Sequence, residues 1–483
     1  MQPNLFETSA ILIALVAVLG YINAKFLKLP ATIGLMILAM LTSLALFVVG
    51  SLSPQFADNL NMVISGIDFN EALMHGMLGY LLFAGALHVN LNDLKQQKWI
   101  IAILATVGVL ATTCIVGLMM WWVTGWLGLE IKLIYCLLFG SLIAPTDPIA
   151  VLAILKTLGA PKSLETKITG ESLFNDGVGV VVFIALLGVA GLSAHPSPKT
   201  GGPTFVYDTH VRAAADQTQT NTAQKIIVAT TAEQHADKEA HANVDFASVG
   251  LLFLKEAGGG AVFGLALGLL GYLMMRSLDE YKTEIMISLA MVTGGYALCT
   301  ALHISGPIAM VVAGLFIGNH GRALAMSDTT RHNLDLFWEL VDEILNAVLF
   351  VLIGIEVLVV TFKGTYVYAG LIAIPVVLLA RLLSVGGAVQ VVKLVRKRVF
   401  TSHAVKVLTW GGLRGGISVA LALSLTNMLE QTGDSTAAAS GDLILTMTYV
   451  VVVFSIVLQG LTVGPLMRKL GLSGQPNPAT SEH

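Results

Sequence analysis

Residues 170–183 read G-E-S-L-F-N-D-G-V-G-V-V-V-F. Asp176 follows Asn175, Glu171 and Ser172 stand one turn earlier, and the residues after Asp176 are almost pure hydrocarbon and glycine. A charge at the centre of a bilayer costs about 2.5–3.5 kcal/mol on insertion scales. Such residues persist where they bind or move ions, or where they pair with another buried charge. This stretch carries the means for both. Ser172 and Asp176 are four apart and share a helix face. Glu171 and Asp176 are five apart and project about 140° away from each other. One acid can therefore face an ion path while the other faces protein.

The surrounding chain has the composition of a polytopic membrane protein. Of its 483 residues, 55% are hydrophobic and 12% charged, against about 25% charged in soluble domains. The net charge of -3 matters less than where the charges lie. Cys114, Cys136 and Cys299 all sit in apolar runs, which gives neither a disulfide framework nor a metal spacing. Residues 8–24 are followed by Lys25 and Lys28 rather than by a small-residue cleavage site, so they read as a first transmembrane helix.

A helix of about 20 apolar residues crosses the hydrocarbon core. Thirteen stretches qualify: 8–24, 31–50, 72–90, 99–124, 131–155, 167–192, 249–275, 284–301, 303–318, 339–361, 367–392, 404–427 and 442–467. The pair 284–301 and 303–318, separated by His303, Ser305, Gly306 and Pro307, reads as one hairpin or one bent element. With the N-terminus outside, the inner loops and the tail hold 18 of the 27 basic residues and the outer loops six. That asymmetry predicts an outer N-terminus, a cytoplasmic C-terminus and an odd number of spans. Residues 193–248 are polar and poor in aromatics, and read as a long outer-face loop. Residues 468–483 form a short cytoplasmic tail.

Two spans carry helix breakers. In the fifth, Pro145 and Pro148 bracket Thr146 and Asp147, and each proline removes a backbone donor. The expected result is an unwound stretch with free carbonyls, tolerated only where it lines a cavity or is buried in protein. Asp147 also suits the N-cap of the following half-helix. In the twelfth, G-G-L-R-G-G-I-S spans residues 411–418, so Gly412, Arg414 and Gly415 lie where regular helix is weakest. Close helix packing with a snorkelling Arg414 is the plainer account of that run. Paired broken helices in two halves mark a transporter's substrate site. The expected fold is all-α, with about thirteen transmembrane helices, a six-plus-six inverted repeat and two broken helices crossing at mid-membrane.

The carboxylate of Asp176, the hydroxyls of Ser172 and Thr146 and the amide oxygen of Asn175 make a hard-oxygen set suited to an alkali cation, and Asp176 can take a proton instead. Arg381, in V-V-L-L-A-R-L-L-S-V-G-G, needs an acid partner at mid-span, for which Glu171 is the candidate. Gly260, Gly264 and Gly268 form a packing stripe, and His75, His88 and His303 read as bonded membrane histidines. There is no nucleotide loop and no H-E-x-x-H, so ATP-driven transport and zinc proteolysis lack support.

The runs A-P-T-D-P-I-A-V-L (144–152), G-E-S-L-F-N-D-G-V-G-V-V-V-F (170–183), H-I-S-G-P-I-A-M-V-V-A-G-L (303–315) and W-G-G-L-R-G-G-I-S-V-A-L (410–421) resemble those of the monovalent cation:proton antiporter family, in its sodium/proton antiporter branch. The resemblance covers roughly residues 8–467. It implies thirteen helices, a homodimer, a dimerisation part (8–90 and 249–361) and a moving core (99–192 and 367–467). By position it makes Asp176 the ion- and proton-binding acid, Asn175 its pair neighbour, and Ser172 and Thr146 helpers in coordination. Asp147 becomes the acid of the first broken helix, and Glu171 with Arg381 a structural ion pair. The Asn-Asp pair implies electroneutral one-for-one exchange. One departure stands out: in L-L-F-A-G-A-L-H-V (81–89), Ala84 occupies a position where many relatives carry a glutamate ligand.

These readings converge on a secondary antiporter, not an enzyme, exchanging Na+ or Li+ for H+ at one buried aspartate in a bacterial inner membrane, with a role in pH homeostasis. No cofactor and no nucleic-acid partner are expected; the cation, the proton and the bilayer are. A K+/H+ antiporter of the same fold is the alternative. A cation channel or an intramembrane aspartyl protease would use similar residues, but the protease would need Asp147 and Asp176 close together on facing helices.

Overall fold

Within hydrocarbon every backbone donor must be paired inside the protein, so sequences of this composition fold as helices. The structure, a computed structural model, describes residues 5–52, 72–192, 246–358, 363–396 and 403–472. The described residues are helical nearly throughout and contain no strand, only an isolated bridge between Asp147 and Leu413. Most of the expected loop 193–248, and the tail beyond 472, lie outside them.

The first helices are α1 (Leu5–Ile22), α2 (Ala31–Leu52) and α3 (Leu78–Leu87). α4 (Leu91–Ile103) continues through a π-helical turn into α5 (Val109–Trp126). Then come the half-helices α6 (Leu133–Ile143) and α7 (Ile149–Thr157), and the long α8 (Lys162–Val189). α9 (Phe246–Arg276), α10 (Tyr281–Ala301), α11 (Gly306–Phe316) and α12 (Asp328–Ile355) follow. The last group is α13 (Gly364–Arg396), the half-helices α14 (Ala404–Trp410) and α15 (Gly416–Gln431), and α16 (Ser435–Val453) with α17 (Gly460–Lys469). Among the described residues eight helices are long and apolar enough to cross a membrane. The ambiguous pair near 303 is two separate helices. Ser305 caps the second, accepting from the Ile308 N–H, and Pro307 stands in its first turn, where a missing donor costs nothing.

Several helices run past the apolar stretches that announced them. α4 begins at Leu91 rather than 99, because Asn90 Oδ1 accepts the N–H groups of Asn92 and Asp93 at 2.8 and 3.4 Å. α16 begins at Ser435 rather than 442, because Asp434 Oδ1 accepts the Thr436 N–H at 2.9 Å. α12 starts eleven residues before its apolar part, at the Ser327 cap, and keeps Leu334 and Trp338 buried in that extra length. Hydropathy measures the hydrocarbon-facing length; capping side chains set the ends.

α2 packs on α12, α3 on α11, and α9 and α10 on each other and on α11. α5 packs on α6 and α13, and α16 on α13 and α15, while α8 touches both groups. Two large apolar clusters fill the interior. They meet within single helices: along α13, Ala380 belongs to one and Val385 to the other, and along α8, Phe183 and Leu173 divide the same way. Glu171, Asn175, Asp176 and Arg381 lie at or beside that seam. Hence these four polar residues lie where the two apolar clusters meet.

Candidate ion-binding site

The site is built where two interrupted helices meet. α6 stops at Ile143 and α7 starts at Ile149; α14 stops at Trp410 and α15 starts at Gly416. The loose ends are joined by the Asp147 N–H, which donates to the Leu413 carbonyl at 2.8 Å. Arg414 Nη1 donates to the carbonyls of Ala144 and Pro145 at 2.6 and 2.8 Å. A cation thus sits on the carbonyl end of α6, where the helix dipole is negative. The Arg414 N–H donates to Ser455 Oγ at 2.9 Å. Arg414 is 2% exposed, so it does not snorkel. It ties the first broken helix to the second.

Glycine permits the approach. A Cβ on Gly415 would lie 2.5 Å from Asp147 Oδ2, and one on Gly412 2.7 Å from Arg381 Nε. A Cβ on Gly179 of α8 would lie 2.4 Å from Pro145 Cγ.

α8 supplies the facing side chains. Asn175 Nδ2 donates to Thr146 Oγ1 at 2.9 Å, and Asn175 Oδ1 accepts the Thr146 N–H at 3.4 Å. Ser172 Oγ donates to the Thr146 carbonyl. Thr146 is therefore held by backbone and side chain together, and Asn175 spends its amide on positioning the break. The sequence set Asn175 beside Asp176 as an oxygen ligand; its bonds across 29 residues of chain could not be read from spacing. Asp147 Oδ1 accepts the Ile149 N–H at 2.9 Å, so Asp147 caps α7.

Asp176 differs from its neighbours. It is 9% exposed, and among the described residues nothing hydrogen-bonds to its carboxylate. It lines a cavity of about 1930 Å³ that also reaches Thr146, Asp147 and Ser172. The same cavity is also bordered by Lys156, Lys162, Arg322 and Arg468, residues of the basic loops. Its wall is partly acidic, with Asp342 and Glu343 of α12. The Asp147 carboxylate acts electrostatically on both Asp176 and Asp342.

On the far side of α8, Arg381 Nη1 donates to Glu171 Oε1, and Arg381 Nη2 to the Leu408 carbonyl at 3.3 Å. Glu171 and Arg381 are 1% and 6% exposed, so this pair is sealed from the cavity. Ser384 Oγ donates to the Arg381 carbonyl and receives Thr112 Oγ1 at 3.3 Å, which ties α5 to the same point. Ala84 is fully buried in α3 and offers the cavity no oxygen. Among the described residues no cluster of three His, Cys, Asp or Glu side chains forms a transition-metal site.

Comparison with known proteins bears on the family and the fold. The family described as sodium/hydrogen exchanger, transmembrane, matches residues 11–207 and 221–469. The chain is 46% identical over 475 residues to the Na+/H+ antiporter NhaP of Pseudomonas aeruginosa, covering 98% of each. It is 31% identical to the Na+/H+ antiporter NhaH of Halobacillus dabanensis, over 93% of this chain and 94% of that one. The solved structure of the sodium proton antiporter MjNhaP1 from Methanocaldococcus jannaschii at pH 8 superposes with a TM-score of 0.67 at 18% identity, covering 95% of this chain and 97% of that one.

Proposed function

Because the chain belongs to the sodium/hydrogen exchanger family, we propose that it is a secondary antiporter that exchanges Na+ or Li+ for H+ at Asp176 by alternating access. One observation carries this reading. Asp176 is a nearly buried carboxylate with no hydrogen-bond partner among the described residues, and it lines one cavity with Ser172 and Thr146. A cation there is held by the carboxylate and the two hydroxyl oxygens, with Asn175 keeping Thr146 in place. A proton on Asp176 removes the charge that holds the cation, so the two ligands compete. Each also neutralises the acid, which lets the loaded site move through a low-dielectric barrier, where the bare carboxylate is held back.

The cavity runs toward the basic loops, which the positive-inside rule places in the cytoplasm. In this reading the structure is inward-facing, with its N-terminus outside, in a bacterial inner membrane. α2, α3 and α9–α12 pack mainly among themselves, as do α5–α6 and α13–α16, which supports a dimerisation part and a moving core. α8, part of that core, carries the site, in a six-plus-six inverted repeat and a homodimer. Asp176 with the neutral Asn175 makes the exchange one for one and electroneutral.

The test uses proteoliposomes loaded with acid, to which Li+, Na+ and K+ are added in turn. Wild-type protein should collapse the pH gradient with Li+ and Na+, and Asp176→Asn should not, while remaining folded. Robust exchange by Asp176→Asn would falsify the assignment; a response to K+ alone would make the chain a K+/H+ antiporter.

A further inference from the structure

The wall of α12 that faces the cavity carries a stripe unused by the mechanism above. Asp335, Glu339, Asp342, Asn346 and Leu349 all border the cavity, and their spacing of four, three, four and three keeps them within about 80° of one helix face. Leu349 seats the stripe against the second broken helix: a Cβ on Gly416 would lie 2.4 Å from its Cδ1. At the other end Asp335 pairs with Arg322, and Glu339 is exposed. Between them Asp342 is half-buried and carries no ion pair among the described residues.

Asn346 is the anomaly. It is 3% exposed, and neither its Oδ1 nor its Nδ2 has a hydrogen-bond partner of ordinary geometry. The Asp342 carboxylate, one turn earlier, is close enough to feel its amide. With its amide turned to that carboxylate, its buried oxygen is left without a donor, which is destabilising in a purely structural role. Beside a carboxylate on the same face, its oxygen becomes the second of two hard-oxygen ligands, the kind that alkali and alkaline-earth cations take.

We propose that Asp342 and Asn346 form an outer site for a partly hydrated monovalent cation, which waits there before passing to Asp176. This rests on the antiport reading above. Asp342 on α12 and Asp176 on α8 line the same cavity, and along α12 Asp342 lies between Asp335, paired with Arg322, and Leu349, seated at the second broken helix. A cation at Asp342 therefore stands in the path between the basic-loop mouth and the transport acid. It also offsets the repulsion between Asp342 and Asp147, and leaving for Asp176 restores that repulsion. The site thus concentrates the ion without trapping it.

The test is the Na+ dependence of exchange in proteoliposomes containing full-length protein. Asp342→Asn and Asn346→Ala should each raise the KM for Na+ several-fold, whereas Glu343→Gln, a neighbouring cavity acid, should change it less than either. Asn346→Ala is the sharper variant, since it removes no charge and cannot weaken simple electrostatic attraction into the cavity. It should raise KM while leaving thermal stability unchanged or higher. The KM effects should persist in high choline chloride, which screens long-range attraction. Equal effects of Asp342→Asn and Glu343→Gln that vanish in choline chloride, or an unchanged KM for Asn346→Ala, would overturn the outer site. Exchange by Asp176→Asn would instead overturn the antiport reading, so the two failures are distinct.

Discussion

A carboxylate can serve two competing ligands only if the protein does not occupy it first. Around Asp176 each polar neighbour is committed elsewhere: Asn175 to Thr146, Ser172 to the Thr146 carbonyl, Asp147 to the Ile149 N–H, and Arg414 to the carbonyls that end α6. Glu171, five residues away and on the opposite face, is neutralised by Arg381. These two acids of one helix thus differ in partner, and the roles proposed for them rest on that difference. Glu171→Ala should strand a buried guanidinium and cost about 3–5 kcal/mol of stability. Adding Arg381→Ala should recover part of that loss in thermal denaturation; if the two losses simply add, the residues are not partners. Much of this was legible in sequence, because a polar residue in an apolar helix is visible without a structure and the 140° rule separates Glu171 from Asp176. What was hidden is who bonds to whom. Thr146 and Asn175 are 29 residues apart, and Arg414 and Ala144 are 270 apart. No local pattern distinguishes a snorkelling arginine from one that caps a distant half-helix.

At the scale of elements, the device is the meeting of two interrupted helices, and its tolerance is set by glycine. Pro145, Pro148 and the 411–416 run announced the breaks, since prolines remove donors and glycines weaken helix. Their mutual contact, through Asp147 N–H to the Leu413 carbonyl, required the fold. Gly415→Ala puts a methyl group 2.5 Å from Asp147 Oδ2, and the obstacle is a side chain already fixed by its cap bond. The change should displace Asp147 and with it Thr146. Exchange in proteoliposomes should fall roughly tenfold or more, as misplacements of about 1 Å do at reacting sites, with the purified protein still helical and folded. Wild-type turnover in Gly415→Ala would mean that the close approach is incidental. The helix ends show the converse lesson. Asn90, Ser327 and Asp434 are ordinary N-cap residues, yet hydropathy outweighed them and left α4, α12 and α16 short. The missed first turns of α12 lead into the part of the helix that bears the acidic cavity wall.

For the whole molecule, Glu171, Asp176 and Arg381 lie where two apolar clusters meet. A loaded site crosses the remaining barrier only when neutral. Cation-loaded and proton-loaded Asp176 carry equal charge, and Asn175 adds none, so a cycle should move no net charge. Membrane voltage acts with about 2.3 kcal/mol per elementary charge per 100 mV; here it should have almost no grip. At fixed pH and Na+ gradients, a valinomycin-clamped K+ potential should leave the exchange rate nearly unchanged. A strong voltage dependence would require a second proton carrier, with Asp147 the first suspect. The membrane-spanning character of the chain was plain from composition, whereas the cavity and its acidic wall depend on which helix faces which. Everything above turns on competition between Na+ and H+ for a single side chain, and this can be measured without transport. Na+ is added to purified protein in weakly buffered detergent, and the protons released are titrated. Wild-type protein should release about one proton for each Na+ bound when Asp176 starts protonated, and Asp176→Asn should release none. Sodium binding without proton release, or release undiminished in Asp176→Asn, would contradict the account.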